Sequence, residues 1–428
     1  MKHIRNFESM AHKTYAHADY EDKYVQPLIL AALKARLPPE LLVLIEDEPP
    51  TDCQYLQWRQ YESINFEHLI ASPATSLANS YIIRKALIRK HYLSTTVSNW
   101  LTKHPNSVLK RHVKVGVEFE VDYAEFLDDA LVEAWELKES WARNDGSNVA
   151  KEWWILKPGM SERGQGIRLF SSEEELQAIF EEWDPESDDD DEEDDATHSG
   201  DEKEDAGNGI MTSQLRHFIA QPYIHPPLLL PSPHVSTNRK FHIRTYVVAV
   251  GALKLYVYKP MLALFAGQPY TAPAASANEE LTAHLTNTCL QSGEREGSVH
   301  AFWDLPSTVP GLEVDWKDEV FMQICSICAE TFEAAARSMS VHFQTLPNSF
   351  EIFGLDFLVD THGTAWLLEV NAFPDFAQTG DELQALVGGL FEQVVEVAVK
   401  PFFGVLAYED TTTEKQMIKV LDIDLGRR

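Results

Sequence analysis

One stretch limits what this chain can fold into more than any other, residues 350–371. Two runs rich in Phe, Leu, Ile and Val flank Asp360-Thr-His-Gly363, which is the composition of a β-hairpin and its turn. Asp356 interrupts the first run. Glu369 and Asn371 stand two apart at the end of the second, so they fall on one strand face. If that face points inward, two carboxylates and an amide converge where an unpaired charge costs several kcal/mol. A hard divalent cation removes that cost. An oxygen-only donor set selects Mg²⁺ or Mn²⁺ over Zn²⁺, and Mg²⁺ held by few carboxylates usually also holds phosphate oxygens. The plain alternative is the polar face of an exposed hairpin.

A chain of 428 residues, 44% of them hydrophobic, buries a substantial core and divides into two or three domain-sized units. No run approaches the roughly 18 uninterrupted apolar residues of a membrane span, and the opening residues lack the apolar core of a secretory signal. A soluble protein with no membrane partner is expected. Cys53, Cys289, Cys325 and Cys328 are scattered and do not look like a disulfide framework, which points to a reducing cytosolic or nuclear compartment, with the cytoplasm the expected one. Cys325 and Cys328 have redox or zinc spacing. The helical pattern around them, with no second Cys/His pair nearby, makes them structural.

The net charge of −31 is uneven. Between Asp184 and Asp205 fourteen acidic residues face Lys203 alone, so the run 184–209 cannot bury apolar surface and reads as a disordered acidic insertion. Carboxylates in such a run are not preorganised into a metal cage. The opposite holds from Tyr81 to Lys114, where Arg84, Lys85, Arg89, Lys90, Lys103, Lys110, Arg111 and Lys114 meet no Asp or Glu. That segment is a local positive field suited to phosphates or an acidic partner, or else one basic helix face balancing acidic neighbours. Nucleic acid is not an expected partner, because the overall charge repels it and no recognition motif accompanies the patch.

In chain order, residues 1–20 read as a flexible tail, Tyr24 to Leu37 as a helix ending before Pro38-Pro39, Leu41 to Glu46 as a short strand or apolar helix turn, and Asn79 to Leu93 as a helix. With a strand from Lys114 and helical pattern from Ala124 to Arg143, residues 21–148 make a small N-terminal mixed α/β domain. Trp153 to Pro158 is an apolar strand carrying Lys157. It runs into a loop with Arg163, Gly164 and Gly166, whose glycines allow close backbone approach to a polyphosphate. A plain hairpin turn is the alternative. Phe218 to Ile224 is a strand holding Gln221, Tyr223 and Ile224. On the next strand Lys240, His242 and Arg244 alternate with apolar residues and share a face, with Leu253 to Lys259 as the antiparallel partner. Helices are expected from about Trp316 to Ser338 and from Gly380 to Lys400, and residues 404–428 read as an appendage.

Taken in order, Lys157-Pro with Arg163-Gly-x-Gly-Ile, Gln221-x-Tyr-Ile, Lys240-Phe-x-Ile-Arg244, His284-Leu-Thr-Asn287, and Phe-Gly-x-Asp356 with Glu369-Val-Asn371 resemble the tubulin-tyrosine-ligase family of ATP-grasp ligases. The similarity covers roughly residues 80–400 apart from the acidic insertion. It implies an α+β ATP-grasp fold over residues 149–403, two subdomains gripping ATP. It also implies that Lys157, Arg163, Gly164, Gly166 and Lys85 contact ATP phosphates, that Gln221, Tyr223 and Ile224 border the adenine, and that Thr286 and Asn287 lie by the triphosphate. Lys240 and Arg244, with Asn287, His242 and Lys259, would line the reacting centre. Asp356, Glu369 and Asn371 would ligate Mg²⁺, or Mn²⁺.

The activity implied is ligation of a free amino acid to a protein acceptor such as an acidic tubulin tail. An acceptor carboxylate takes the γ-phosphate of ATP, and the amine then displaces phosphate. Such chemistry needs cations and metal aimed at developing phosphoryl charge. Two positions depart from the family pattern. His242 stands where an Asp is common, and Lys259 where an Arg is common, losing a bidentate fork. Both bear on turnover and on tubulin as acceptor, and the second expectation is a catalytically weakened ATP-binding interaction module.

Overall fold

A strand buried on both faces must be apolar on both, unless its polar side chains find partners there. Arg239–Val250 meets this demand: it is buried along nearly its whole length, Lys240, His242 and Arg244 share one face, and Thr245 on the other reaches Met261. The computed structural model describes residues 13–146, 151–159, 166–183, 217–274, 281–286, 298–380, 382–405 and 416–425. Arg163, Gly164, Asn287 and the acidic insertion 184–209 lie outside them. The chain divides into two units, one of residues 1–114, 226–270 and 282–428, the other of residues 115–225 and 271–281.

The first unit opens with a parallel sheet of β1 (Thr14–Asp19), β2 (Leu42–Leu44), β3 (Gln54–Arg59) and β4 (Ser76–Ala78), in the order β2-β1-β3-β4. Residues 14–19 are therefore no tail. Their run of Thr, Ala and His carries little apolar bulk, and backbone pairing along both edges makes it a strand. The helix Val25–Arg36 packs Ile29 and Leu33 inward, and Arg36 reaches Glu392 on the helix Gln384–Val394. The helix expected over 79–93 is two helices, Lys85–Ile88 and Lys90–Lys103, separated by an extended Arg89.

The second unit is built on β5 (Val117–Glu120), β6 (Trp154–Pro158), β7 (Arg168–Phe170) and β8 (His217–Pro222), antiparallel in the order β5-β8-β6-β7. Because β5 pairs with β8, the stretch 115–146 belongs with the glycine-loop sheet, and the boundary falls at residue 114 rather than near 148. Phe170, Phe180, Trp183 and Phe218 fill its core.

The main sheet of the first unit holds β9 (Arg239–Val250), β10 (Lys254–Tyr258), β11 (Leu262–Pro269), β12 (Val299–Ala301), β13 (Phe350–Val359), β14 (Ala365–Ala372) and β15 (Met417–Asp422). β13 runs antiparallel along β9, while β10 and β11 pair with its two halves. β15 pairs with β10, so the segment expected as an appendage contributes a strand, and its Val420 and Leu421 pack on the core. The long helix Trp316–Ser338 covers one face with Val320, Ile324, Ile327, Cys328 and Phe332. Cys328 is buried and Cys325 half-buried, both as free thiols. The closing helix is Gln384–Val394, followed by a π-helical turn Val395–Val399 and Lys400–Phe403, a widening that admits Pro401 near the start of the last turn.

Gly116 lies flat against β8. A Cβ there would stand 2.8 Å from the Ala220 carbonyl oxygen and 2.7 Å from Ile219 Cγ1. Backbone cannot retreat as a flexible side-chain tip does, so Gly116→Ala should lower stability by about 1–3 kcal/mol. Urea unfolding followed by tryptophan fluorescence checks this, and an unchanged midpoint would show that β5 and β8 separate at no cost.

Candidate active site

The ladder register assembles the hairpin's polar residues. Asp356 is paired across the sheet with Arg244 on one side and Glu369 on the other, so a cation and two carboxylates stand in one row on one face. Arg244 holds Asp356 by two bonds, Nε to Oδ1 at 2.5 Å and Nη2 to Oδ2 at 3.1 Å, and both side chains are buried. Gly354 makes the room: a Cβ on it would stand 3.2 Å from Arg244 Cδ and 2.8 Å from Pro374 Cβ. Burial works against the charged form of Arg244, but Asp356 beside it prevails and raises the guanidinium above its ordinary value.

The row continues outward. Asn371 Nδ2 donates to Glu369 Oε1 at 3.1 Å, and Lys90 Nζ stands 3.3 Å from Glu369 Oε2. His242 is buried on the same face of β9 as Arg244 and Lys240. Its Nδ1 meets Thr286 Oγ1 at 2.5 Å, and its Nε2, 3.6 Å from Asp356 Oδ1, has no hydrogen-bond partner among the described residues. Burial lowers its pKa and outweighs the pull of Asp356, so the imidazole is neutral at neutral pH.

These residues fit a hard cation. Two carboxylates and an amide that can turn its oxygen inward are gathered within hydrogen-bond reach, an oxygen-only set that Mg²⁺ or Mn²⁺ completes with phosphate and water. Among the described residues no group of three or more His, Cys, Asp or Glu could hold a metal. A site resting on two carboxylates suits an ion delivered with a polyphosphate rather than a caged one.

In the other unit, Lys157 Nζ donates to Gln221 Oε1 at 2.8 Å, which ties two of the expected nucleotide residues together on neighbouring strands. Tyr223 N donates to the Trp153 carbonyl at 2.7 Å, and Ile224 is half-buried beyond it. Gly166 has φ +71, in the left-handed region that favours glycine. Lys85 is exposed at the start of its helix. Lys259 is not gathered with Lys240, His242 and Arg244: its Nζ is 5.6 Å from the ring centroid of Trp303, which packs on the core containing Phe241 and Ile243, on the opposite face of β9.

Two contributors escaped the sequence reading. Lys90 stands five residues after Lys85, where the break at Arg89 starts a second helix and brings it to Glu369. The second is Arg84, whose Nε lies 2.8 Å from Glu351 Oε1, while Tyr81 N donates to Glu351 Oε2 at 3.0 Å. Arg84 also stacks on Tyr61, 3.8 Å from its centroid. This buried pair fastens the segment leading to Lys85 and Lys90 onto β13.

A family model for the tubulin-tyrosine ligase family matches residues 71–405. The chain belongs to that family. A probable tubulin-tyrosine ligase of Schizosaccharomyces pombe is 44% identical over 389 residues, covering 90% of this chain and 92% of that protein. A probable tubulin-tyrosine ligase of Saccharomyces cerevisiae, PBY1, is 41% identical over 423 residues, 94% of this chain but 54% of its own length. Among solved structures, the C-terminal domain of K. lactis Pby1, described as an ATP-grasp enzyme interacting with the mRNA decapping enzyme Dcp2, superposes with a TM-score of 0.71 at 36% identity, over 96% of this chain and 99% of that one. The α+β architecture of this tubulin-tyrosine-ligase-family chain is thus the ATP-grasp fold.

Removing Arg244 strands Asp356 in the sheet. Arg244→Met should cost about 3–5 kcal/mol, and adding Asp356→Leu should recover most of it, because a buried pair replaced as a pair leaves no orphan charge. Chemical denaturation of the single and double variants decides; equal losses in both would remove the pair from the account. Glu351 gives a pH signature. Burial pushes its carboxyl up to about 7 despite Arg84, so the native state holds that proton more tightly than the unfolded chain, where the value is about 4.3. Its contribution is full below about 4.3 and is lost as pH rises through about 7. Relative to Glu351→Gln, the wild type should therefore lose stability across that window, and parallel stability-versus-pH curves would refute the assignment.

Proposed function

We propose that this protein is an ATP- and Mg²⁺-dependent ligase that joins a free amino acid to a carboxylate of a protein acceptor. The observation that carries the reading is the row of Arg244, Asp356 and Glu369, with Lys240, His242 and Asn371 on the same strand faces. In it positive charge and metal-type oxygens are fixed before any substrate arrives. The acceptor carboxylate attacks the γ-phosphorus of ATP and ADP departs, leaving an acylphosphate. The amine of the amino acid attacks the acyl carbon, inorganic phosphate leaves, the nitrogen loses a proton and an amide results. Lys240 and Arg244 neutralise charge on the transferred phosphoryl group, and His242, held on Thr286, offers Nε2 as a neutral donor or acceptor. Asp356, Glu369 and Asn371 would hold Mg²⁺, which would supply charge neutralisation at the polyphosphate. Lys85, Lys157, Arg163, Gly164, Gly166, Thr286 and Asn287 are assigned to phosphates, and Gln221, Tyr223 and Ile224 to adenine. An acidic tubulin tail is the acceptor this reading favours, supported by the names of the curated relatives, and the cytoplasm is where it would be met.

A second reading, an ATP-binding interaction module with weakened catalysis, draws on two observations. His242 is buried and neutral where the family pattern has an acid, and Lys259 lies against Trp303. The description of K. lactis Pby1 as a partner of the decapping enzyme Dcp2 supports an interaction role of that kind.

The test is incubation of the purified protein with Mg-ATP, an amino-acid mixture and tubulin, followed by intact-mass spectrometry. The ligase reading expects an added residue on tubulin that is lost with Glu369→Gln. ATP bound without any adduct or ADP above the Glu369→Gln background would leave the interaction module.

A further inference from the structure

The stretch 122–139 of the second unit buries one side and leaves the other uncovered. Ala124, Leu127, Leu131, Ala134 and Leu137 enter the core with Trp141. Facing solvent are Tyr123, Phe126, Val132 and Trp135, which are 54%, 46%, 55% and 66% exposed. Tyr123, Phe126 and Trp135 are the exposed aromatic residues among those described, and all three fall within thirteen residues of one another. The Tyr123 and Phe126 rings already touch, with centroids 6.1 Å apart. The same stretch carries seven acidic residues and one cation, Lys138. Glu125, Asp128, Asp129, Glu133 and Glu136 are exposed and make no ion pair among the described residues.

We propose that this face is a docking surface for a Lys- and Arg-rich segment of another protein that also carries apolar anchor side chains. Complementary charge selects the occupant. A nucleic acid or anionic lipid surface would be repelled, whereas a basic peptide is steered in by these carboxylates and by the negative field of the whole chain. Charge alone gives a diffuse attraction. The aromatic side chains supply what fixes a register, since Trp and Tyr bury large area with few rotatable bonds and are the side chains on which interface energy concentrates. None of the candidate nucleotide or metal residues lies in this stretch, so the proposal stands whether or not the protein turns over ATP.

The probe is a short fluorescein-labelled peptide alternating Lys and Arg with Leu and Tyr, compared with a second in which Ser replaces Leu and Tyr and a third in which Glu replaces Lys and Arg. Fluorescence anisotropy against the full chain, without nucleotide, should show salt-sensitive binding of the first peptide only. Phe126→Ser with Trp135→Ser should weaken it about tenfold, a typical loss when interface anchors are truncated, with the melting temperature unchanged because both side chains are exposed. Glu133→Lys with Glu136→Lys should remove the salt-sensitive part. Hydrogen exchange of the unsubstituted protein provides a readout that needs no variant, with protection expected over residues 123–137 on adding the first peptide. Equal binding of the Ser peptide, unchanged affinity in the double Ser variant, or protection confined to other segments would each overturn the proposal. So would a sedimentation dimer of the unsubstituted protein that the double Ser variant abolishes, since the face would then belong to a second copy of this chain.

Discussion

The buried ion pair between Arg244 and Asp356 is the interaction on which the rest of the candidate site depends. Two charges taken out of water on adjacent strands are tolerable only because the guanidinium fork meets both carboxylate oxygens. That geometry exists because β9 and β13 are in a register that sets the two residues opposite one another, with Gly354 leaving the arginine stem room to lie down. Glu369, Asn371, Lys90 and His242 are then placed around a charge distribution that is already balanced at its centre. A cation arriving with a polyphosphate would meet fixed dipoles and charges rather than having to organise them, which is the condition under which electrostatic catalysis is strongest.

The basic stretch 81–114 changes meaning once its partners are known. Arg84 is committed to Glu351, Lys90 to Glu369, and Lys114 lies over the Trp366 ring at 4.2 Å. What reads in sequence as one positive patch thus includes three ties that fasten residues 84–114 to β13 and β14. Lys103, Lys110 and Arg111 remain exposed for an outside partner. Burial decides which charges are structural, and burial is a property of the fold rather than of local composition.

The hairpin, the cationic strand and the long helix Trp316–Ser338 were legible because each has a strong local period and polar residues out of place in it. Lys157 and Gln221 could be chosen as separate candidates, but not seen to bond each other, because their pairing depends on β6 lying beside β8. β1 was invisible because Thr, Ala and His satisfy no hydrophobic pattern, and only its place between β2 and β3 makes it a strand. β15 carries apolar residues but has nothing nearby in the chain to pair with: its partner β10 lies more than a hundred residues earlier. Lys259 shows the opposite failure, since the family resemblance implies a place at the reacting centre, whereas its side chain lies toward Trp303.

Arg244 and Asp356 are separated by 112 residues. Neither charge can find its partner until the intervening chain has been gathered and the two strands have met, and closing so long a loop is slow relative to local helix formation. The ion pair at the centre of the candidate site therefore needs the whole intervening chain in place, and an isolated fragment containing only the hairpin of β13 and β14 would keep the carboxylates but not the counter-charge that allows them to be buried.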